Sequence, residues 1–136
     1  MARSVIAITT DDGYRAIYCH CDGQPEHNNM LLRQYYQFED RSWELLALGD
    51  INSLGRYLTD EEKEDGKDGK VTEARCRDMG WSCDETKCKM FGCNAALWNY
   101  AHSVGAKYIH MRRNGGWWRC LMTMQEVEIT EKLIRL

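Results

Sequence analysis

The pattern of hydrophobic and polar positions predicts two β-hairpins, one at each end of the chain. Residues 3–10 and 14–21 are rich in β-branched and aromatic side chains, and they flank the tight-turn signal Asp11-Asp12-Gly13. Residues 108–112 and 117–122 flank Asn114-Gly115-Gly116, which is among the stronger short-range turn signals. The chain is therefore expected to contain two antiparallel strand pairs.

Three helices are predicted between the hairpins. From His27 to about Phe38 the apolar residues recur at steps of three and four, as they do on one face of a helix. A second helix has a broad apolar face and ends at Gly49, and a third runs from Asn94 to Ser103. Residues 50–55 are predicted to be a turn, and residues 71–75 a short strand.

Together these elements predict an α+β fold. An antiparallel sheet built from the two hairpins would carry the helices on one face. At 136 residues, with 43% hydrophobic and 29% charged residues, residues 1–136 fit a single domain with one core. No apolar stretch approaches the roughly 20 residues of a bilayer span, and no leader pattern is visible, so a cytoplasmic protein is expected.

The charge balance excludes a general attraction to nucleic acid or anionic membrane, because the formal net charge is −3. One stretch is nevertheless strongly charged. Residues 59–70 lack an apolar period and are predicted to be a flexible, solvated loop. Such a loop is ordinarily only a connector, but it could also imitate phosphate charge toward a basic groove on a partner. On that hypothesis the partner-binding carboxylates are Asp60, Glu61, Glu62, Glu64 and Asp65.

A cysteine-rich segment, residues 76–93, predicts a metal site. Cys76, Cys83, Cys88 and Cys93 are separated by six, four and four residues, and four thiolates on a short loop are the ligands of a structural, tetrahedral Zn²⁺. The seven cysteines of the chain are an odd number, which argues against a pure disulfide framework. Four free thiols, an iron–sulfur cluster or a redox switch are the alternatives.

A second cysteine-containing segment ends the first hairpin. Strand alternation sends Cys19 and Cys21 to one face and His20 and Asp22 to the other, and His27 begins the next helix. A structural role is the first interpretation. A ligand contact, a second metal site or a Cys–His nucleophile are the others, although neighbouring strand residues point apart and make a poor nucleophile pair.

The C-terminal hairpin is basic and aromatic. Arg112, Arg113, Trp117, Trp118 and Arg119 surround its glycine turn. Arginine and tryptophan together are typical of protein-interface hot spots, and they also stack on bases and bind phosphates. Because the strand alternates, only one of the two tryptophans can face the core. Partner binding, core packing and nucleic-acid binding all remain open.

Two motifs resemble a known group of proteins. The first is Tyr18-Cys19-His20-Cys21-Asp22-Gly23 followed by Pro25-Glu26, and the second is Leu-Ala-Leu-Gly-Asp-Ile-Asn-Ser-Leu-Gly over residues 46–55. They resemble a family of small phage and prophage proteins of mostly unassigned function. The resemblance covers roughly the first 55 residues and returns at Gly115-Gly116-Trp117. Cys21 stands where members usually carry an aromatic residue, and the cysteine cluster is not part of the family pattern.

The resemblance implies an origin in which small acidic proteins often antagonise host defence, similar in kind to type II anti-CRISPR proteins. The first function hypothesis is therefore a non-enzymatic inhibitor that binds a type II CRISPR effector nuclease and blocks loading or cleavage of target DNA. The alternative is a nucleic-acid-binding zinc module that uses the hairpin Arg112–Arg119. A third hypothesis is capture or cleavage of a nucleotide signal near His20 and Asp22.

Overall fold

The computed structural model describes residues 2–122 and 133–136, and it is an α+β fold, as the sequence predicts. Within these residues five helices and eight strands are present. In chain order they are β1 (Ser4–Thr10), β2 (Gly13–Cys19), α1 (Pro25–Tyr35), α2 (Glu39–Ala47), β3 (Ile51–Ser53), β4 (Glu73–Ala74), α3 (Arg75–Met79), α4 (Cys83–Thr86), β5 (Lys89–Phe91), α5 (Asn94–Ser103), β6 (Tyr108–Arg113), β7 (Gly116–Leu121) and β8 (Ile134–Arg135).

Both predicted hairpins are confirmed, but the prediction of a purely antiparallel sheet is wrong. The strand order is β4-β3-β2-β1-β6-β7-β8, and β5 pairs with β2 beside this path. β1 and β6 lie parallel, with Ser4 opposite Tyr108 and Ile8 opposite Arg112, and β2 is parallel to β3. A tight turn fixes direction only within its own hairpin, whereas the long connection through the helices leaves the direction between hairpins open.

The helices lie on both faces of the sheet, so the prediction of helices on one face is also wrong. On one face Ile6 and Ile17 pack with Leu32 of α1 and Leu46 of α2. On the other face a second cluster joins the central strands to α5. Its members include Val5, Ala7, Ala16, Leu97, Trp98, Ala101 and Ile109. A central strand covered on both sides needs an uninterrupted apolar run, which β1 has at residues 5–8.

Smaller differences occur between the hairpins and at the C-terminal end. Residues 50–55 contain the short strand β3 rather than a turn alone, and the cysteine-rich segment forms α3, α4 and β5. At the C-terminal end, Ile134–Arg135 forms a short strand against β7. No helix in the described part of the chain has the length and apolar character to cross a membrane.

Candidate functional site

The two motif segments meet at the end of β2. The backbone N–H of His20 donates to the carbonyl of Ile51 (3.1 Å), and that of Cys21 donates to the carbonyl of Asn52 (2.7 Å). The hydroxyl of Ser53 donates to the carboxylate of Asp22 (3.1 Å). Segments that are about 30 residues apart in sequence therefore form one structural unit.

Asp50 is the hub of this unit, and Gly49 makes its position possible. The Asp50 carboxylate accepts the Tyr18 backbone N–H (2.9 Å), while the Asp50 backbone N–H donates to the Thr86 carbonyl (2.6 Å). The Asp50 carbonyl accepts the backbone N–H of Arg75 (3.0 Å). Gly49 has φ +77°, and a Cβ at this position would collide with the Thr86 carbonyl. A Gly-Asp pair therefore joins β2, α3 and α4.

An open pocket of about 460 Å³ lies over this hub. Its lining comes from both ends of the chain and from the cysteine-rich segment, and it combines cationic, aromatic and acidic side chains. The lining residues are Arg3, Tyr18, His20, Asp50, Arg75, Trp81, Glu85, Lys89, Tyr100 and Val104.

Arg75 is the cation at the centre of the lining. Its guanidinium lies 4.3 Å from the ring centre of Trp81 and 5.1 Å from that of Tyr18, which are cation–π distances. The Nε–H is buried and has no hydrogen-bond partner within residues 2–122 and 133–136. Arg75 forms no ion pair with any described residue. A buried charged donor without an acceptor is costly, so Arg75 is suited to an anionic ligand.

The two acidic residues of the lining have different surroundings. Asp50 is 8% exposed, and Lys89 Nζ lies 3.5 Å from its carboxylate. Burial raises the pKa of Asp50, while the Tyr18 N–H and Lys89 act in the opposite direction. Glu85 is exposed at the rim. Since Lys89 compensates Asp50, the charges of Arg3 and Arg75 outweigh that of Glu85, and the pocket favours an anion.

Tyr18 and His20 share a hydrogen bond of 2.8 Å between the phenol oxygen and Nδ1. Burial raises the pKa of Tyr18 and lowers the pKa of His20, and the neighbouring Arg75 and Arg3 further favour neutral His20. The bond to the phenol occupies Nδ1 of His20, so Nε2 is the ring nitrogen that is left for a ligand.

The structure brings together two of the four cysteines predicted to bind zinc. Cys76 and Cys83 form a disulfide with their Cα atoms 5.1 Å apart. Cys88 is half-buried, and Cys93 is exposed at the start of α5. Among residues 2–122 and 133–136 no group of three or more His, Cys, Asp or Glu side chains could hold a metal ion. Structural Zn²⁺ at Cys76, Cys83, Cys88 and Cys93 remains a prediction.

Metal analysis of two matched variants tests that prediction. If the four cysteines bind zinc, the parent chain should purify with roughly one equivalent of zinc. C83S and C88S should each purify without zinc, because each variant removes one of the four ligands. A disulfide alone predicts that only C83S lowers the melting temperature and that no preparation contains zinc. Mass spectrometry under native conditions and after thiol alkylation distinguishes the two results.

The segment Cys19-His20-Cys21-Asp22 mainly makes structural contacts. Cys19 is fully buried, which raises the pKa of its thiol to about 11 and disfavours a nucleophilic thiolate. Asp22 has φ +59° and turns the chain toward α1, and Gly23 packs so closely on Ser4 that a Cβ would lie 2.6 Å from its hydroxyl. The Nδ1 atom of His27 hydrogen-bonds Asn28 (2.8 Å). Of this segment, His20 lines the pocket.

The two tryptophans of the C-terminal hairpin lie in different environments. Trp117 is 3% exposed, and its indole N–H donates to the Tyr36 carbonyl (2.8 Å). Trp118 is half-buried, with the Arg135 guanidinium 5.4 Å from its ring centre. Arg112 donates to the Gln37 carbonyl (3.0 Å). Arg112, Arg113, Trp118 and Arg119 are therefore partly exposed, whereas Trp117 belongs to the core.

The acidic loop is exposed throughout residues 60–70. One of its carboxylates is engaged within the chain, since Glu62 accepts two hydrogen bonds from Arg41 (2.7 and 2.6 Å) and one from the Leu58 N–H (2.9 Å). Arg41 accordingly lowers the pKa of Glu62. The other four predicted partner-binding carboxylates are Asp60, Glu61, Glu64 and Asp65.

Sequence reasoning did not identify most of the pocket. Arg75, Trp81, Lys89 and Tyr100 belong to four different elements or loops, and no spacing in the sequence links them. The one available signal was the motif pair itself, since Tyr18 and its neighbours lie in the first motif and Asp50 in the second.

Comparison with known proteins gives no match, whether with protein-family models, with curated proteins or with solved structures.

Proposed function

We propose that the protein is a non-enzymatic binding protein that captures a small phosphate-bearing molecule of the nucleotide class in the pocket around Arg75. The observation that carries this proposal is the guanidinium of Arg75, which lies within cation–π distance of two aromatic rings and has a buried Nε–H without an acceptor in the described part of the chain. A phosphate oxygen is the acceptor that a guanidinium fork recognises best.

The remaining lining supports a ligand with a ring as well as a phosphate. The volume of about 460 Å³ falls in the range typical of small-molecule sites. Trp81 is 46% exposed, so it presents apolar ring surface to solvent in the absence of a ligand. Aromatic and guanidinium surfaces stack on nucleobases, while Arg3 adds a second cation for the phosphate.

Binding without catalysis accounts for the polar groups best. The Asp50 carboxylate is already occupied by the Tyr18 N–H and Lys89, so it is poorly placed to act as a general base. Cys19 is buried as a thiol. His20 has its Nδ1 engaged by Tyr18, which leaves Nε2 for a hydrogen bond with the ligand.

Calorimetric titration of nucleotides against the corresponding nucleosides tests the proposal. Each nucleoside has the same ring as its nucleotide but lacks the phosphate, so it should bind at least about tenfold more weakly. Unchanged nucleotide after prolonged incubation is also expected, since no catalysis is proposed. If nucleoside and nucleotide bind equally, or if neither binds, the proposal is wrong.

A second candidate is the inhibitor of a bacterial defence nuclease, most concretely a type II CRISPR effector. The specific observation in its favour is the exposed acidic loop, which the Arg41–Glu62 pair anchors while four other carboxylates face solvent. A rigidly anchored acidic loop is suited to a basic groove that ordinarily binds DNA. The proposed zinc site would help to hold the neighbouring segment.

A cleavage assay with a guide-loaded effector tests this candidate, with the protein added before guide, after guide or after target DNA. Inhibition only when the protein precedes the DNA is expected, and conversion of Asp60, Glu61, Glu64 and Asp65 to their amides should abolish it. The matched control converts four exposed carboxylates elsewhere, Glu26, Glu39, Asp40 and Asp84. Full cleavage in every order across several effectors would exclude this function for those effectors.

A further inference from the structure

A second cationic cavity lies on the other side of the molecule, where α1 meets the strands β7 and β8. Its volume is about 210 Å³, and its lining is Asn29, Arg33, Arg119, Ile134, Arg135 and Leu136. A smaller cavity of about 100 Å³ adjoins it and shares Arg33, Arg135 and Leu136. Neither cavity shares a residue with the pocket around Arg75.

The three arginines of this cavity come from three different elements. Arg33 lies in the last turn of α1, Arg119 in β7 and Arg135 in β8. No aspartate or glutamate is part of the lining, and within the described residues none of the three guanidiniums forms an ion pair. Three like charges that line one cavity cost electrostatic free energy, which a bound anion would offset.

Two of the guanidiniums are held by aromatic rings. Arg119 lies 5.8 Å from the ring centre of Tyr108, and Arg135 lies 5.4 Å from that of Trp118. A cation that stacks on a ring keeps its in-plane N–H donors available to an acceptor. The rings therefore orient the two arginines without satisfying their hydrogen-bonding capacity.

Asn29, which also lines the cavity, provides independent evidence for a missing ligand. The side-chain Oδ1 is buried and has no hydrogen-bond partner among the described residues. A rotation of the amide by 180° exchanges Oδ1 with Nδ2, so the same buried position can donate to an anion. This buried amide atom and three guanidiniums without an ion pair in the described part of the chain form an incomplete polar cluster.

We infer that Arg33, Arg119 and Arg135, with Asn29, form a second binding site that takes a phosphate group. The volume of about 210 Å³ accommodates one phosphate and a short part of what is attached to it, rather than a whole nucleotide with its base stacked inside. Three guanidiniums surround the phosphate oxygens, and Arg33 and Arg135 continue into the adjoining cavity.

The phosphate could belong to a free small ion or to the backbone of a single-stranded nucleic acid, and binding measurements distinguish these sources. Fluorescence anisotropy with a labelled single-stranded DNA of ten nucleotides and calorimetry with inorganic phosphate are done on the full chain, for the parent and for R33Q/R119Q. Arg15 in β2, which lines none of the three cavities, gives the matched control R15Q. Circular dichroism melts of all three proteins establish that they are folded.

Binding of either probe by the parent chain, weakened at least about tenfold in R33Q/R119Q and unchanged in R15Q, is the expected result. Binding of the DNA with a steep decrease at higher salt would identify the backbone as the source, and binding of inorganic phosphate alone would identify the free ion. Equal weakening by R15Q, or no binding of either probe by the parent, would overturn the site. R75M removes the phosphate contact proposed at the other pocket, so binding that persists in R75M but is lost in R33Q/R119Q belongs to this second site.

Discussion

Replacing Arg75 by methionine is expected to weaken nucleotide binding at the main pocket by at least about 30-fold, the equivalent of about 2 kcal/mol. The change removes the guanidinium that lies between Tyr18 and Trp81 but keeps a long apolar side chain against the two rings. The backbone bond from the Arg75 N–H to Asp50 is retained. The loss should therefore fall on the phosphate contact and not on the fold.

Two further variants test whether the guanidinium of Arg75 itself is responsible for the expected loss of affinity. R75K keeps the positive charge but loses the planar fork, so its affinity should lie between those of the parent and R75M. K87M removes an exposed cation from the segment between α4 and β5 that does not line the pocket, and its affinity should match the parent. If R75M and K87M bind nucleotide equally well, Arg75 is not the anion ligand and the proposed function loses its main support.

A second large effect is expected in the pH dependence of stability, through His110. Its side chain is fully buried, and Nε2 lies 3.0 Å from the Gly23 carbonyl and donates to it. Nδ1 is buried without a partner. Burial lowers the pKa of His110 from 6.5 to about 4, the nearby Arg119 adds to this, and the bond to Gly23 opposes it. The imidazole is thus neutral in the folded protein.

The sign of the effect follows from which state binds the proton more tightly. In the unfolded chain His110 is protonated below about pH 6.5, whereas the folded protein resists protonation down to about pH 4. The stabilisation of the folded protein that comes from neutral His110 is therefore fully present above pH 6.5, and it is lost progressively as the pH falls toward 4. The difference corresponds to a decrease of roughly 3 kcal/mol in the free energy of unfolding.

Urea denaturation between pH 7 and pH 5 measures this effect above the range in which most carboxylates titrate. The parent chain should lose stability across the interval, while H110Q, which can still donate to Gly23 but does not titrate, should show a much flatter profile. H102Q replaces an exposed histidine of α5 and should keep the parent slope. Parallel profiles for the parent and H110Q would show that His110 is not the titrating group.

The elements that the sequence predicted well are those that depend on local interactions. Turn chemistry at Gly13 and at Asn114-Gly115 fixed both hairpins, and the observed turns have the positive φ that these residues allow. The third helix was predicted at residues 94–103, and α5 has these bounds. Residues close in sequence determine where α5 begins and ends. Gly105, for example, has φ +73° and lies two residues after the last residue of the helix.

The sheet topology depended on contacts that no local pattern encodes. The parallel pairing of β1 with β6 joins residues about 100 positions apart, and only packing of the whole chain selects it. One signal was nevertheless present. The unbroken apolar run Val5-Ile6-Ala7-Ile8 is typical of a strand buried on both faces, and it indicates helices on both sides of the sheet.

The sequence by itself determined the α+β class, the two hairpins, the last long helix and the two motifs that meet beside Asp50, because each rests on residues close together in the chain. The tertiary structure alone decided the mixed sheet, the pairing of Cys76 with Cys83, and the pocket that gathers Arg3, Arg75 and Lys89. It also buried Trp117 and left Trp118 partly exposed. The physical reason is the same in each case: the convergence of distant side chains depends on how the sheet and helices pack, which short-range propensities do not specify.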